Sequence, residues 1–306
     1  MTLQALIAQA HALLQAAPLA YGHGTANAHD EAVWLVLWSL GLPLDRDIER
    51  IGSQAVLPEQ AAQALALVNE RIATRKPAAY LTREAWLQGV PFYVDERVIV
   101  PRSFIAEMIA NAPGADSLDA WLGEHTHRVL DLCTGNGSLA VLAAMAWPDV
   151  QVDAADISAD ALAVARINVE RHGLQDRIRL VKSDGWQQLP DRYDLVLCNP
   201  PYVSRHSMDA LPAEYLAEPN ISLDGGLQGG DDGMDFIRTF LAQAPQHLNP
   251  MGVVVLEIGN EREHFERAFT NLACEWPATS AGVGPLVLIS AEALQWWQSA
   301  PSEKHT

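Results

Sequence analysis

The stretch Tyr193-Asp194-Leu195-Val196-Leu197-Cys198 is apolar but for one acid, and Asn199-Pro200-Pro201-Tyr202 follows it directly. A short apolar run bounded by polar residues predicts a strand buried on both faces, as in a parallel sheet. Neither proline can donate a ladder hydrogen bond, so the strand must end there. Asn199 is therefore expected at the carboxyl edge of a central strand, where open α/β sheets bind ligands.

The rest of the chain supplies the crossovers that such a strand needs. Strands are expected at 128–131, 151–156, 178–182, 195–198, 252–258, 274–278 and 286–289, and helices at 138–146, 159–172, 233–247 and 261–268. This alternation predicts a doubly wound α/β domain. Upstream, helical spacing covers 2–17, 27–40, 45–51 and 58–74, and Gly41 and Pro43 end the second helix. A hairpin is expected around Gln88-Gly89-Val90-Pro91, with a helix at 103–110 and a polar connection at 111–123. The expected division is a helical module at 1–78, a linker with the hairpin at 79–102, and the α/β domain at 103–306. The helical module carries no constellation of catalytic side chains. It either recognises a partner or covers a cleft, or serves packing alone.

Asn199-Pro200-Pro201-Tyr202 suits methyl transfer to a planar nitrogen. An amide NH2 is a poor nucleophile with two N–H donors. The Asn199 side-chain oxygen and the Pro200 carbonyl can accept one each. The prolines stiffen the backbone that presents them, and Tyr202 offers a flat face to a planar group.

A second site candidate lies upstream. Val129 to Ser138 reads as strand, Gly-rich turn, then helix, with Gly135 and Gly137 in the turn. Together with Ala140 it also satisfies the looser dinucleotide pattern G-x-G-x-x-A. Asp156, ending the next strand, is placed to accept from ribose hydroxyls and fits either cofactor. Two residues favour S-adenosylmethionine over NAD. Asp131 can pair with an ammonium group, which NAD lacks. Asp184 can accept from an adenine amino group, with Trp186 near the ring.

The net charge is −18 over 306 residues, a field that repels free nucleic acid and attracts a basic partner. The three cysteines, Cys133, Cys198 and Cys274, have no CxxC spacing and read as reduced thiols. No metal site is expected, since His125 and His127 read as an exposed loop pair. No apolar run reaches membrane-spanning length, which together with the amino terminus predicts a cytoplasmic protein.

The Gly-rich turn, the acidic strand ends and Asn199–Tyr202 resemble the class I methyltransferases that act on amide or exocyclic amino nitrogen. That resemblance implies a Rossmann-like, seven-stranded, mostly parallel sheet and S-adenosylmethionine as cofactor. Ala79-Tyr80-Leu81, Val100-Pro101-Arg102 and the helical module narrow it to the protein-glutamine N5-methyltransferases, the group of HemK, PrmC and PrmB. Tyr21-Gly22-His23-Gly24-Thr25, Asp30-Glu31-Ala32-Val33 and Phe92-Tyr93-Val94-Asp95-Glu96-Arg97 look most like the PrmB branch, which acts on a glutamine of ribosomal protein L three of the large subunit, free or in an assembling subunit.

The resemblance implies that Thr134, Gly135 and Gly137 hold the methionine part of the cofactor. It implies that Asp156 binds ribose and that Asp184 and Trp186 flank adenine. Asn199 and Pro200 would hold the glutamine amide, with Pro201 beside them and Tyr202 closing the pocket; Asn199, Pro200 and Tyr202 are the catalytic candidates. Asn136 stands where Ser or Thr is common, and little consequence is expected. Glu218-Pro219 and residues 229–233 resemble a loop at the cleft mouth and a helix start. Release factors as substrate, adenine-N6 methylation of nucleic acid, a dehydrogenase and a silent ribosome-binding module are the competing readings. The dehydrogenase leaves Asn199–Tyr202 unexplained, and the negative charge opposes a free nucleic acid.

Overall fold

A computed structural model describes residues 1–110, 117–226 and 230–299 of the chain. Four helices come first: α1 (Leu3–Ala16), α2 (Ala28–Ser39), α3 (Ile48–Ile51) and α4 (Pro58–Thr74). Local chemistry sets their starts. Thr2 accepts from the Ala5 N–H at 3.2 Å and Asn27 from the Asp30 N–H at 3.0 Å, while Pro58 opens α4 where its missing N–H costs nothing. Leu6, Leu14, Leu35, Leu37 and Val68 close on one another as their core. That core does not stop at the helical module. It continues into Tyr80, Val94 and Val100 of the linker, and into Ala161 and Val164 beyond.

The linker holds a short helix α5 (Ala78–Thr82) and the hairpin β1 (Glu84–Leu87) and β2 (Val90–Tyr93), followed by α6 (Ile105–Ala110). Then come β3 (Arg128–Leu132), α7 (Ser138–Ala146), β4 (Gln151–Asp156), α8 (Ala159–Arg171), β5 (Ile178–Lys182) and β6 (Tyr193–Cys198). The chain closes with α9 (Arg205–Asp209), α10 (Asp235–His247), β7 (Leu248–Glu257), α11 (Arg262–Ala268), β8 (Ala278–Thr279), β9 (Gly282–Val283), β10 (Leu286–Ser290) and α12 (Ala291–Ser299).

The central sheet has the order β10-β7-β6-β3-β4-β5, with β10 alone antiparallel. The fold class is the expected doubly wound α/β. The first strand, β3, has β4 and β5 on one side and β6 and β7 on the other, so the order reverses between β3 and β6. Every residue of β6 is buried, as its composition requires. Leu132 pairs with Cys198, so the Gly-rich turn and Asn199 leave the sheet side by side.

One expected strand shrinks, and the sheet has six strands among the described residues where seven were expected. Of residues 274–278, only Glu275 meets the central sheet, by a bridge to Leu288 with two backbone bonds of 2.9 Å, while Ala278 pairs with Val283 in the separate β8–β9 ribbon. The next bonded position along that ladder falls on Pro277, which has no N–H to donate. The expected helices at 103–110 and 233–247 start two residues late, while α5, α9 and α12 have no counterpart in the sequence reading. The expected connection at 111–123 lies partly outside the described residues.

The hairpin is stapled to the main domain by Asn168 of α8, which is fully buried. Its Oδ1 accepts from the Tyr93 N–H at 2.7 Å, and its Nδ2 donates to the carbonyls of Tyr93 at 2.9 Å and Asn136 at 2.8 Å. One amide thus ties the linker and the Gly-rich turn to the same helix. Asn168→Ala leaves these buried backbone groups unpaired, and the expected loss is on the order of 2–4 kcal/mol in urea unfolding.

Candidate active site

The chain leaves β3 through Cys133-Thr134-Gly135-Asn136-Gly137 and enters α7. Cys133, Gly135 and Gly137 all take left-handed φ values, of 63°, 55° and 81°. The two glycines serve different ends. A Cβ on Gly135 would meet nothing within 4 Å, because the residue faces a cavity. A Cβ on Gly137 would stand 3.1 Å from the Ala165 Cβ, so its bareness lets α7 start close against α8. Gly137 therefore serves packing and does not line the cavity. Cys133 has no such freedom, and strain of that kind gathers at functional sites. Asn136 departs from expectation too. Its side chain is buried and accepts from the Ser138 N–H at 3.2 Å, at the first residue of α7.

The cavity has a volume of about 300 Å³ and opens at the switch point between β3 and β6. Cys133, Gly135, Asp156, Asp184, Asn199 and Pro201 line it. Asp156, ending β4, accepts from the Gly135 N–H at 2.9 Å and the Ser158 N–H at 2.8 Å; burial raises its pKa. Asp184 is exposed at the rim and accepts from Gln187 Nε2 at 3.1 Å.

Asp131 lies beneath the turn at 1% exposure. One oxygen accepts from the Thr134 hydroxyl at 2.5 Å and the Ala140 N–H at 3.0 Å, while Oδ1 has no partner among the described residues. Burial pushes its pKa up to about 7. Thr134 is itself buried and acts on the site through Asp131.

Trp186 is placed elsewhere than expected. It is buried in the core, its indole N–H donates to the Phe240 carbonyl at 3.1 Å, and it stacks on Phe240 and His247. It does not line the cavity. Ile157, at the end of β4, and Phe236, on α10, do. No spacing in the sequence marks either residue for that role.

Asn199 is partly exposed, and among the described residues its side-chain amide makes no hydrogen bond. Pro200 is buried beside it. Tyr202 is turned into the protein: a Cβ on Gly259 would meet its ring at 2.7 Å. Burial and the nearby Glu257 carboxylate raise the Tyr202 pKa. Glu257, ending β7, is buried and pushed up to about 7, and it accepts from the Ser103 hydroxyl at 2.5 Å. The segment with Ile221, Ser222, Asp224 and Gly225 lines the same cavity as Asn199. Gly225 and Gly233 pack without room for a side chain, whereas 229 lies outside the described residues.

The charge of the cavity wall tests which cofactor fits. Its described lining carries the carboxylates Asp156, Asp184, Asp224 and Asp235 and one guanidinium, Arg97. With the unpartnered Asp131 oxygen beneath, that wall suits a cofactor bringing a sulfonium and an ammonium group. It does not suit the diphosphate of a dinucleotide.

The chain matches the family model "Methyltransferase small domain" over residues 113–221. It is 48% identical to the ribosomal protein uL3 glutamine methyltransferase of Bordetella pertussis, over 96% of both chains. It is 46% identical to the protein of the same description from Neisseria gonorrhoeae, over 91% of this chain and 90% of that one. Among solved structures it is similar to a methyltransferase from Pyrococcus furiosus, with 19% identity and a TM-score of 0.46 over 75% of this chain and 98% of that one.

Two outcomes follow from this geometry. Gly135→Ala should lose about 1–2 kcal/mol of stability to its left-handed φ yet stay folded, with cofactor affinity down tenfold or more, about 1.4 kcal/mol, whereas Gly137→Ala adds the Ala165 contact to the same strain and should lose about 2–4 kcal/mol. Calorimetric titration beside thermal unfolding separates the two. S-adenosylmethionine affinity should also rise from about pH 6 to about pH 7.5, because a cation binds better once Asp131 has lost its proton. The rise should be much reduced in Asp131→Asn.

Proposed function

The chain belongs to the family of ribosomal protein uL3 glutamine methyltransferases and is an S-adenosylmethionine-dependent enzyme; from that premise we propose that it methylates the side-chain amide nitrogen, N5, of a glutamine in uL3. The observation that carries this reading is the pairing of β3 with β6. It sets the negatively lined cavity and the unbonded Asn199 amide at one sheet edge.

Gly135, Asp156 and Asp184 would hold the cofactor, with Asp131 and Thr134 supporting them from beneath. Bound there, the cofactor supplies a methyl group on a sulfonium, an electrophile that needs no metal. The protein's task is alignment. Asn199 Oδ1 and the Pro200 carbonyl accept the two amide N–H groups and point the nitrogen at the cavity. Pro201 keeps that backbone stiff and lines the cavity next to Asn199. Such orientation is worth up to roughly 7–11 kcal/mol in favourable cases. The same two oxygens favour positive charge as it develops on nitrogen. The proton then leaves to water. Tyr202, turned inward against Gly259, would brace the Asn199–Pro201 backbone from behind.

Residues 1–78 would recognise the substrate, 79–102 link, and 103–306 carry the chemistry. The charge of −18 fits a basic protein partner, free or in an assembling subunit. No described helix is long and apolar enough to cross a membrane. The relatives named above are described by a ribosomal protein, which favours uL3 over a release factor.

Intact-mass analysis of unmodified uL3 after mixing with enzyme and S-adenosylmethionine should show one added methyl, mapped to a glutamine. Methylation of a release factor alone would overturn the substrate. Asn199→Ala should retain fold and cofactor binding while losing turnover on the order of a hundredfold or more.

A further inference from the structure

One wall of the cavity that Asn199 lines is not part of the sheet. Ile221, Ser222, Asp224 and Gly225 belong to a segment of single turns between β6 and α10. One end is tied to the strand exit: the Val203 N–H donates to the Leu223 carbonyl at 2.9 Å, and the Gly225 N–H to the Val203 carbonyl at 3.1 Å. The other end is held by two carboxylates, Glu214 and Glu218, on either side of a turn at Tyr215–Ala217. Leu216 of that turn is 69% exposed, while both carboxylates have no exposed side-chain surface.

Each carboxylate is gripped from the first 102 residues. Glu214 accepts from Arg75 Nε at 2.6 Å and Nη2 at 2.7 Å, from Arg71 Nη1 at 3.4 Å and from the Ala20 N–H at 3.1 Å. Glu218 accepts from Arg102 Nη1 and Nη2, both at 2.6 Å, and from the Val100 N–H at 2.9 Å, with His23 Nε2 at 3.7 Å. Between them the Tyr215 ring lies 4.4 Å from the His23 ring and 5.2 Å from the Arg102 guanidinium. A Cβ on Gly22 would come within 3.0 Å of the Tyr215 hydroxyl. The turn Tyr21–Thr25, which in the sequence marks the family branch, thus packs its Gly22 and His23 under the loop that leads to the cavity wall.

Burying two carboxylates is costly unless each is fully paired. A plain surface loop needs neither. A forked guanidinium grips a carboxylate in one geometry, so each pair fixes position as well as charge. With the strand-exit bonds at its far end, the wall is held at both ends.

We propose that Arg75 and Arg102 are positioning residues for the reaction. Through Glu214 and Glu218 they set the Ile221–Gly225 wall against Asn199, so the helical amino-terminal module shapes the cleft as well as meeting the substrate. This rests on the reading that the cavity is the reaction site. Arg75 is the better probe because its side chain is partly exposed and lies outside the cavity.

The test compares wild type, Arg75→Ala and Arg75→Lys at a temperature where all are folded. Titration with S-adenosylhomocysteine reads the wall, and methyl transfer to unmodified uL3 reads the chemistry. Arg75→Ala should bind about tenfold more weakly and lower kcat, while Arg75→Lys, with one point charge in place of the fork, should fall between. A fold loss in Arg75→Ala leaves the decision to Arg75→Lys. Wild-type affinity and kcat in the folded variants, with only the melting temperature lowered, would mean a fastening role and overturn the proposal. Absence of uL3 methylation by wild type itself would instead defeat the substrate reading, and the titration would still judge the wall.

Discussion

The pairing of Leu132 with Cys198 decides where everything else must go. Two parallel strands in that register release their chains at the same level, on the same edge, at the point where strand order reverses. The Gly-rich turn from one and Asn199-Pro200 from the other then face a common space. A slip of one residue would turn one strand's side chains to the opposite face and scatter the pair. The apolar sequence of β6 would suit either face, so its one polar side chain has to pin the register. All of its residues are buried. The one acid, Asp194, accepts from the His127 and Arg128 N–H groups at the strand's opposite end.

Around that edge the protein keeps several carboxyl groups out of water, and their environments push them apart. Asp131 and Glu257 form no ion pair among the described residues and are raised towards neutrality by burial, which for Glu257 outweighs the pull of Arg102. Glu214 and Glu218 meet the same burial, but the guanidinium partners Arg75 and Arg102 hold both down near 2. The two sets have opposite consequences for pH. Glu214 and Glu218 stabilise the fold above the ordinary glutamate range, and that contribution is lost as pH falls from about 4.5 towards 2. Asp131 and Glu257 hold protons in the native state that the unfolded chain has already released. Their contribution is therefore present at low pH and declines as pH rises from about 4 through about 7. The first set belongs to the scaffold, and Asp131 of the second lies where a cationic ligand would meet it.

Much of the site was legible because strand-end chemistry is local. Asp156, Gly135 and Asn199 each follow a recognisable strand, and each reaches the cavity. Residues that failed the expectation did so for reasons of packing. Gly137 looked like a ligand-facing glycine until Ala165 was found against it. Trp186 follows Asp184 in the chain, but its indole finds better partners in Phe240 and His247. The strand expected at 274–278 met Pro277 opposite the ladder. Tyr21–Thr25 stands out as a motif, yet nothing in its letters says that Tyr215 lies against its Gly22 and His23.

Periodicity and strand-end chemistry by themselves determined the doubly wound class, the sheet edge where the cavity opens and five residues of its lining, Gly135, Asp156, Asp184, Asn199 and Pro201, because these signals depend on bonds within a few residues. The tertiary structure alone decided which carboxylates pair with arginine and which do not, which glycine serves packing, and how the first 102 residues hold one wall of the cavity. Those outcomes rest on contacts between separate elements, as Gly137 meets Ala165 and Arg75 meets Glu214, and such contacts leave no spacing to read.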